Sequence, residues 1–122
     1  MDDILSNTNP RPEPAGANVE QFETDVVLRD GSLAHVRPVQ TGDWVLLMSF
    51  IESLSAETLN LRFPNELEPK DAVNELMPGE GQFALLAVRE ETVIGHAIYT
   101  VTEPGKAEHA VVVADAYQGK GL

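Results

Sequence analysis

The sequence contains no cysteine. That removes disulfides, a thiolate nucleophile and thiolate-bound zinc, and it suits a reducing, cytoplasmic setting. Basic residues are scarce: 8 Lys and Arg stand against 20 Asp and Glu among 122 residues, a net charge of −12. A nucleic-acid or anionic-membrane binder needs a basic footprint, and none is visible, so neither partner is expected. No apolar run approaches the roughly 20 residues that span a bilayer. The opening stretch, MDDILSNTNPRPEPAGANVEQ, lacks the basic and apolar regions of a secretion signal. His35, His96 and His109 fall on separate segments without metal-ligand spacing, and no metal is expected.

What is present is 43% apolar residues, enough for one globular domain with one modest core. Residues 1–22 carry three prolines and nothing periodic, and read as a disordered leader to a domain over 23–122. Asp25–Arg29 and Ala34–Val39 read as the strands of a hairpin turned by Asp30-Gly31-Ser32. Asp43 is placed to cap a helix whose residues Trp44 to Ile51 are apolar almost all round. Ser55 is placed to cap a second, with Leu54 and Leu59 as its staple, ended by Phe63-Pro64. A third begins near Pro69, sets Ala72, Val73, Leu76 and Met77 on one face, and stops at Pro78-Gly79. From Gln82 the period changes to that of strands. FALLAVRE and TVIGHAIYTV flank a tight turn at Glu90-Glu91, and the turn Glu103–Lys106 leads into AEHAVVV. Hairpin, helices and then a three-strand meander make an antiparallel α+β pattern.

That last strand runs into AYQGKGL, Ala116 to Leu122. Gly119-Lys120 imitates the end of a nucleotide-binding P-loop, but Ala114 and Gly121 occupy positions where that motif needs glycine and a hydroxyl. A dinucleotide fingerprint would need a parallel βαβ unit. Two readings stay open on pattern alone. One is a plain glycine turn. The other is a loop whose backbone N–H groups cradle a diphosphate, with Lys120 as an added cation.

QGKGL behind a valine-rich strand resembles the pyrophosphate-binding motif [Q/R]-x-x-G-x-[G/A] of the GNAT superfamily of N-acetyltransferases. Gln118 matches the first position and Gly121 the fourth; the sixth would fall at position 123. LRDGSLAHVRPVQTGD, LSAETLNLRF and AEHAVVVADAYQGKGL together resemble the catalytic domain of bacterial Pat-like protein lysine acetyltransferases, over roughly Val26 to Leu122. The resemblance implies the N-terminal part of the GNAT fold, with the meander on a mixed sheet. It also implies a fragment ending inside the acetyl-CoA loop and inactive alone.

The implied reaction is transfer of an acetyl group from acetyl-CoA to a primary amine, most naturally a protein lysine such as one on an acyl-CoA synthetase. Alternatives are a small-molecule amine acetyltransferase and a non-catalytic acyl-CoA-sensing module. In Pat-like proteins the domain is often fused to a synthetase-like or cyclic-nucleotide-binding module, so a fused partner domain is implied too. An attacking lysine must lose a proton from an amine of pKa near 10.4, which makes a general base useful. Glu108 matches the position of the family's catalytic glutamate; without the resemblance it reads as a solvent-facing strand end. His109, its neighbour, points to the opposite side of the sheet. Val111, Val112 and Val113 read as a buried strand, whose backbone the resemblance assigns to the pantetheine arm and the thioester carbonyl. Gln118, Gly119, Lys120, Gly121 and Leu122 are assigned to the pyrophosphate, and Tyr117 to a wall of that site. Glu52, Glu57, Asn60 and Arg62, near the first two helices, would border the acceptor amine or form a solvated helix face.

Overall fold

The computed structural model describes residues 23–122, and the expected leader at 1–22 lies outside them. Five strands form one sheet in chain order: β1 (Thr24–Val27), β2 (Leu33–Pro38), β3 (Gln82–Arg89), β4 (Thr92–Glu103) and β5 (Lys106–Val113). Three helices come between β2 and β3: α1 (Trp44–Ser53), α2 (Ala56–Arg62) and α3 (Pro69–Leu76). All four strand pairings are antiparallel, so the mixed sheet implied by resemblance is not seen among the described residues. No helix among them is long and apolar enough to cross a membrane.

The first hairpin is shorter than its sequence pattern suggests. Leu28 N–H donates to Ser32 C=O (2.8 Å) and Gly31 N–H to Leu28 C=O (2.9 Å), so Leu28 and Arg29 leave the ladder for the turn. Gly31 takes φ +88°, and Asp30 Oδ1 accepts from Ser32 N–H and Oγ–H at 2.9 and 2.6 Å. The β3–β4 turn is built from two glutamates, with Glu90 at φ 51° and Glu91 at φ 68°. Positive φ at both central residues matches the twist of a two-residue hairpin, at some steric cost without glycine.

Helix ends follow local chemistry. Ser55 Oγ accepts from Thr58 N–H (3.1 Å), and Pro69 opens α3. Asp43 departs from its expected role. Its carboxylate does not cap α1 but takes both Arg37 Nη atoms at 2.7 and 2.8 Å and Gln40 N–H at 2.7 Å. A guanidinium fork one strand away outcompetes the first-turn amides, because a bidentate charge-assisted pair is the stronger bond. Nor is α1 buried all round: Leu47, Phe50 and Ile51 are buried, whereas Val45 is exposed.

The helices cover one face of the sheet. Leu47, Phe50, Leu54, Phe63, Val73 and Leu76 pack there against Leu86, Val93 and Val112. On the other face a smaller cluster forms from Leu28, Ala34, Ala87 and Ile94, with Tyr117 packed against it. Neighbouring residues such as Leu86 and Ala87 enter different clusters because side chains alternate across the sheet, and the β3–β4 register shifts at a bulge between Ala87 and Val88.

His96 sits under the helix layer, 3% exposed, with Nε2–H donating to Leu76 C=O at 2.8 Å. Burial holds its pKa down at about 4. In the unfolded chain the ring takes a proton near pH 6.5. Between those values the unfolded state binds one more proton, so stability falls as pH drops from about 6.5 to about 4. The expected slope from this group is about 1.4 kcal/mol per pH unit. Denaturant melts across that window should show the slope in the wild type and its loss in His96→Gln; equal slopes would refute the assignment.

Candidate functional site

The register fixes what β5 offers along its outer edge. Ala114 N–H donates to Ile94 C=O (2.8 Å), and His96 pairs with Val112 two positions back. In an antiparallel ladder that alternation turns the backbone groups of Val112 and Ala110 toward β4. Those of Val111 and Val113 turn outward. Val113 C=O receives Gln118 Nε2 at 3.0 Å, as an outward carbonyl can. Beside this edge lies a cavity of about 370 Å³ lined by Ala110, Val111, Val112 and Val113 on one side and Thr58, Leu61, Arg62 and Gln118 on the other.

The valine triplet is not the uniformly buried strand expected. Val112 is 4% exposed, Val113 is half-buried and Val111 is 55% exposed. Side chains alternate across the sheet, and only Val112 points into the helix layer. The outward backbone groups of Val111 and Val113 have no described strand beside them.

Asp115 joins this edge to α2. Its carboxylate accepts from Ser55 N–H (2.8 Å), Ser55 Oγ (3.0 Å), Thr58 Oγ1 and Gln118 Nε2 (3.4 Å). Those bonds, Thr58 first, hold its carboxyl below the usual carboxylate range. Gln118 Nε2 also donates to Thr58 Oγ1 (3.1 Å), so its amide knits the loop to the helix. Sequence reasoning missed Asp115. The signal for it was an acidic residue between strand and loop with a Ser-x-x-Thr pair upstream.

Beyond Gln118 the chain crosses the end of β5 and lies against the first hairpin. Lys120 C=O accepts from Arg29 N–H (2.9 Å) and Gly119 C=O from Arg29 Nη1 (3.3 Å). Lys120 Nζ lies 3.9 Å from Asp30, Leu122 covers Gly95, and Arg89 Nη1 donates to Tyr117 Oη at 3.1 Å. Carbonyls are thus spent on the hairpin. The N–H groups of Gly119, Lys120, Gly121 and Leu122 find no acceptor among the described residues. Gly119 at φ +78° and Gly121 at φ +90° hold conformations that side chains disfavour, and nothing stands within 4 Å of where a Cβ on Gly119 would be.

The other expected residues are dispersed. Glu108 is exposed and pairs with Thr100; it shares the helix-side face with Ala110 and Val112 but lies outside the cavity lining. His109 turns to the other face, its ring 6.1 Å from that of Tyr99. Of the four helix residues, Arg62 lines the cavity, Glu52 and Asn60 line a second hollow of about 240 Å³ between the helices, and Glu57 is in neither. His35 is held by Asp25 (2.9 Å) and Glu23 (3.0 Å), and Asp25 first raises its pKa. No cluster fit for a metal occurs among the described residues.

No protein-family model and no curated protein matches this sequence. Among solved structures, the GNAT domain of S. lividans PAT is similar at 34% identity, covering 91% of this chain and 68% of that one, with a TM-score of 0.73. A ribosomal-protein-alanine N-acetyltransferase from Brucella melitensis biovar Abortus 2308 is similar at 16% identity, covering 73% of this chain and 63% of that one, TM-score 0.53. An acetyltransferase of the GNAT family from Bacillus anthracis reaches 18% identity over 81% of this chain and 57% of that one, TM-score 0.50. The latter two show likeness of fold alone, and this chain spans less than two thirds of each.

If Asp115 holds the helix to the strand end, Asp115→Ala should release both. Expected are a Tm lower by several degrees and faster amide exchange at Ser55 and Thr58 than in α3. Uniform exchange across the three helices would show that the carboxylate is dispensable.

Proposed function

This chain belongs to the GNAT superfamily of N-acetyltransferases, and we propose that it serves transfer of an acetyl group from acetyl-CoA to a primary amine, with a protein lysine as the acceptor. The observation that carries the reading is the continuity of the open β5 edge with a loop of unpaired amides. An extended pantetheine arm can add to such an edge as a strand would, using the outward groups of Val111 and the N–H of Val113. The amides of Gly119 to Leu122 then face a diphosphate, and their glycines let oxygen atoms approach the backbone.

In this reading the donor supplies an activated thioester carbonyl. The amine nitrogen attacks that carbon, the C–S bond breaks, and the leaving thiolate takes a proton from solvent. Val111 N–H is available to stabilise the oxyanion. Glu108 takes the proton that the ammonium must lose, from the same face of β5 as the cavity wall. A net charge of −12 favours a cationic acceptor, and a cysteine-free chain fits cytoplasmic work. Lysine is preferred because three separate segments resemble the Pat-like group. A fused synthetase-like or regulatory domain belongs to the same reading.

Two substitutions, each made in the complete protein, test it. Gly121→Val places a β-branched residue at φ +90° in the loop and should weaken acetyl-CoA binding about tenfold or more, measured by calorimetry. Unchanged affinity would remove the loop from the donor site. Glu108→Gln should lower turnover by roughly a hundred- to ten-thousand-fold with little change in acetyl-CoA affinity. Wild-type turnover in that variant would leave Glu108 as a surface residue.

A further inference from the structure

Arg62 is the residue for which the acetyl-transfer reading has no use. It closes α2, lines the β5 cavity, and is half-buried. Its guanidinium carbon lies over the Phe63 ring, 4.6 Å from its centre, a cation–π contact. Among the described residues it makes no ion pair and no hydrogen bond, and its Nε is buried without a partner. Burial lowers its pKa, and Glu75 acts only as a remote counter-charge. No described carboxylate lies within ion-pair distance of it. A half-buried cation without a partner is unfavourable unless an anion arrives to pair with it.

Its place along the cavity says which anion. Ser55 and Thr58 bind Asp115, so the start of α2 lies at the glycine loop. Arg62 is one turn beyond Thr58, about 6 Å further along the helix axis. A diphosphate at the loop is therefore at the opposite end. The group that meets Arg62 belongs to the reacting end of the ligands, where a neutral acetyl methyl gives a guanidinium nothing to bind and a cationic amine is repelled.

We propose that Arg62 makes the far end of the β5 cavity a carboxylate subsite, reading a carboxylate carried either on the acyl chain of the donor or on the acceptor amine. A guanidinium is a planar fork of N–H donors, the geometry that a carboxylate matches. The inference rests on the acyl-CoA reading above and narrows its substrate class.

The test compares matched pairs that differ only in that charge. For the donor, succinyl-CoA and butyryl-CoA are titrated into the protein by calorimetry. For the acceptor, kcat/KM is measured for Nα-acetyl-lysine and its amide. One pair should favour the carboxylate by roughly tenfold in the wild type, as expected for a charge-assisted bidentate bond. Arg62→Gln should bring that ratio near one, and Arg62→Lys should restore part of it. The pair that responds identifies the source. If acyl-CoA binds and neither wild-type ratio exceeds twofold, the subsite is refuted whatever the variants do, and the acetyl-transfer reading stands. A preference that survives unchanged in Arg62→Gln also refutes it. If no acyl-CoA binds at all, both fall together.

Discussion

The Asp115 carboxylate is the joint on which the site depends. One side chain takes the first N–H and the hydroxyls of α2's opening turn together with the loop amide of Gln118. The other end of α2 is held by Leu59 and Phe63 in the core, whereas its opening turn meets the strand end through Asp115 and Gln118. The cavity wall formed by Thr58, Leu61 and Arg62 stands opposite β5 because the helix start is anchored there. A lowered carboxyl pKa is the signature of those donors, with Thr58 the largest contributor. Geometry at a strand end is thereby transmitted to a helix and from it to the groove between them.

Most of the architecture was legible in the sequence because local chemistry and the global fold agree. Ser55 caps, Pro69 starts a helix, and the Glu90-Glu91 turn closes a hairpin where the periodicity says it should. Disagreement arose where a distant partner outbid a local one. Asp43 looks like a helix cap from its neighbours, and only the fold brings Arg37 within 2.7 Å of it. Leu28 and Arg29 look like strand, yet turn hydrogen bonds and the glycine loop claim them. Propensity weighs near neighbours alone, so charged and long-range bonds are what it misses.

The site was legible in a different sense. The glycine loop could be read as a pattern, and so could the strand before it. Three valines in a row gave no sign that the middle one alone is buried, because a run without polar residues hides its own alternation. Whether β5 is an edge depends on strand order, which no local pattern carries. Arg62 was visible as one of several polar residues on a helix. What distinguishes it is that no carboxylate among the described residues pairs with it, a property of the fold and not of the sequence.

The proposed diphosphate site raises a question of charge, because the chain carries a net −12. Screening confines the answer to groups within about 8 Å at physiological salt. There the balance differs from that of the whole chain. Lys120 lies on the loop itself, Arg29 reaches it from the first hairpin, and Arg89 is bonded to Tyr117 just before it. Asp30 and Glu90 lie among these cations and Asp115 is bonded to Gln118 at the start of the loop, so charge there is near balance and not strongly acidic. Three of only eight basic residues therefore converge on five residues of loop, each tied to backbone carbonyls or to a neighbouring side chain. Tying them matters as much as their charge. A free Lys or Arg would lose side-chain entropy on meeting a phosphate, whereas one already held has lost most of it in folding. The hairpin that takes the loop's carbonyls also brings Arg29 beside its unpaired amides, so cations meet the loop locally in an otherwise acidic protein.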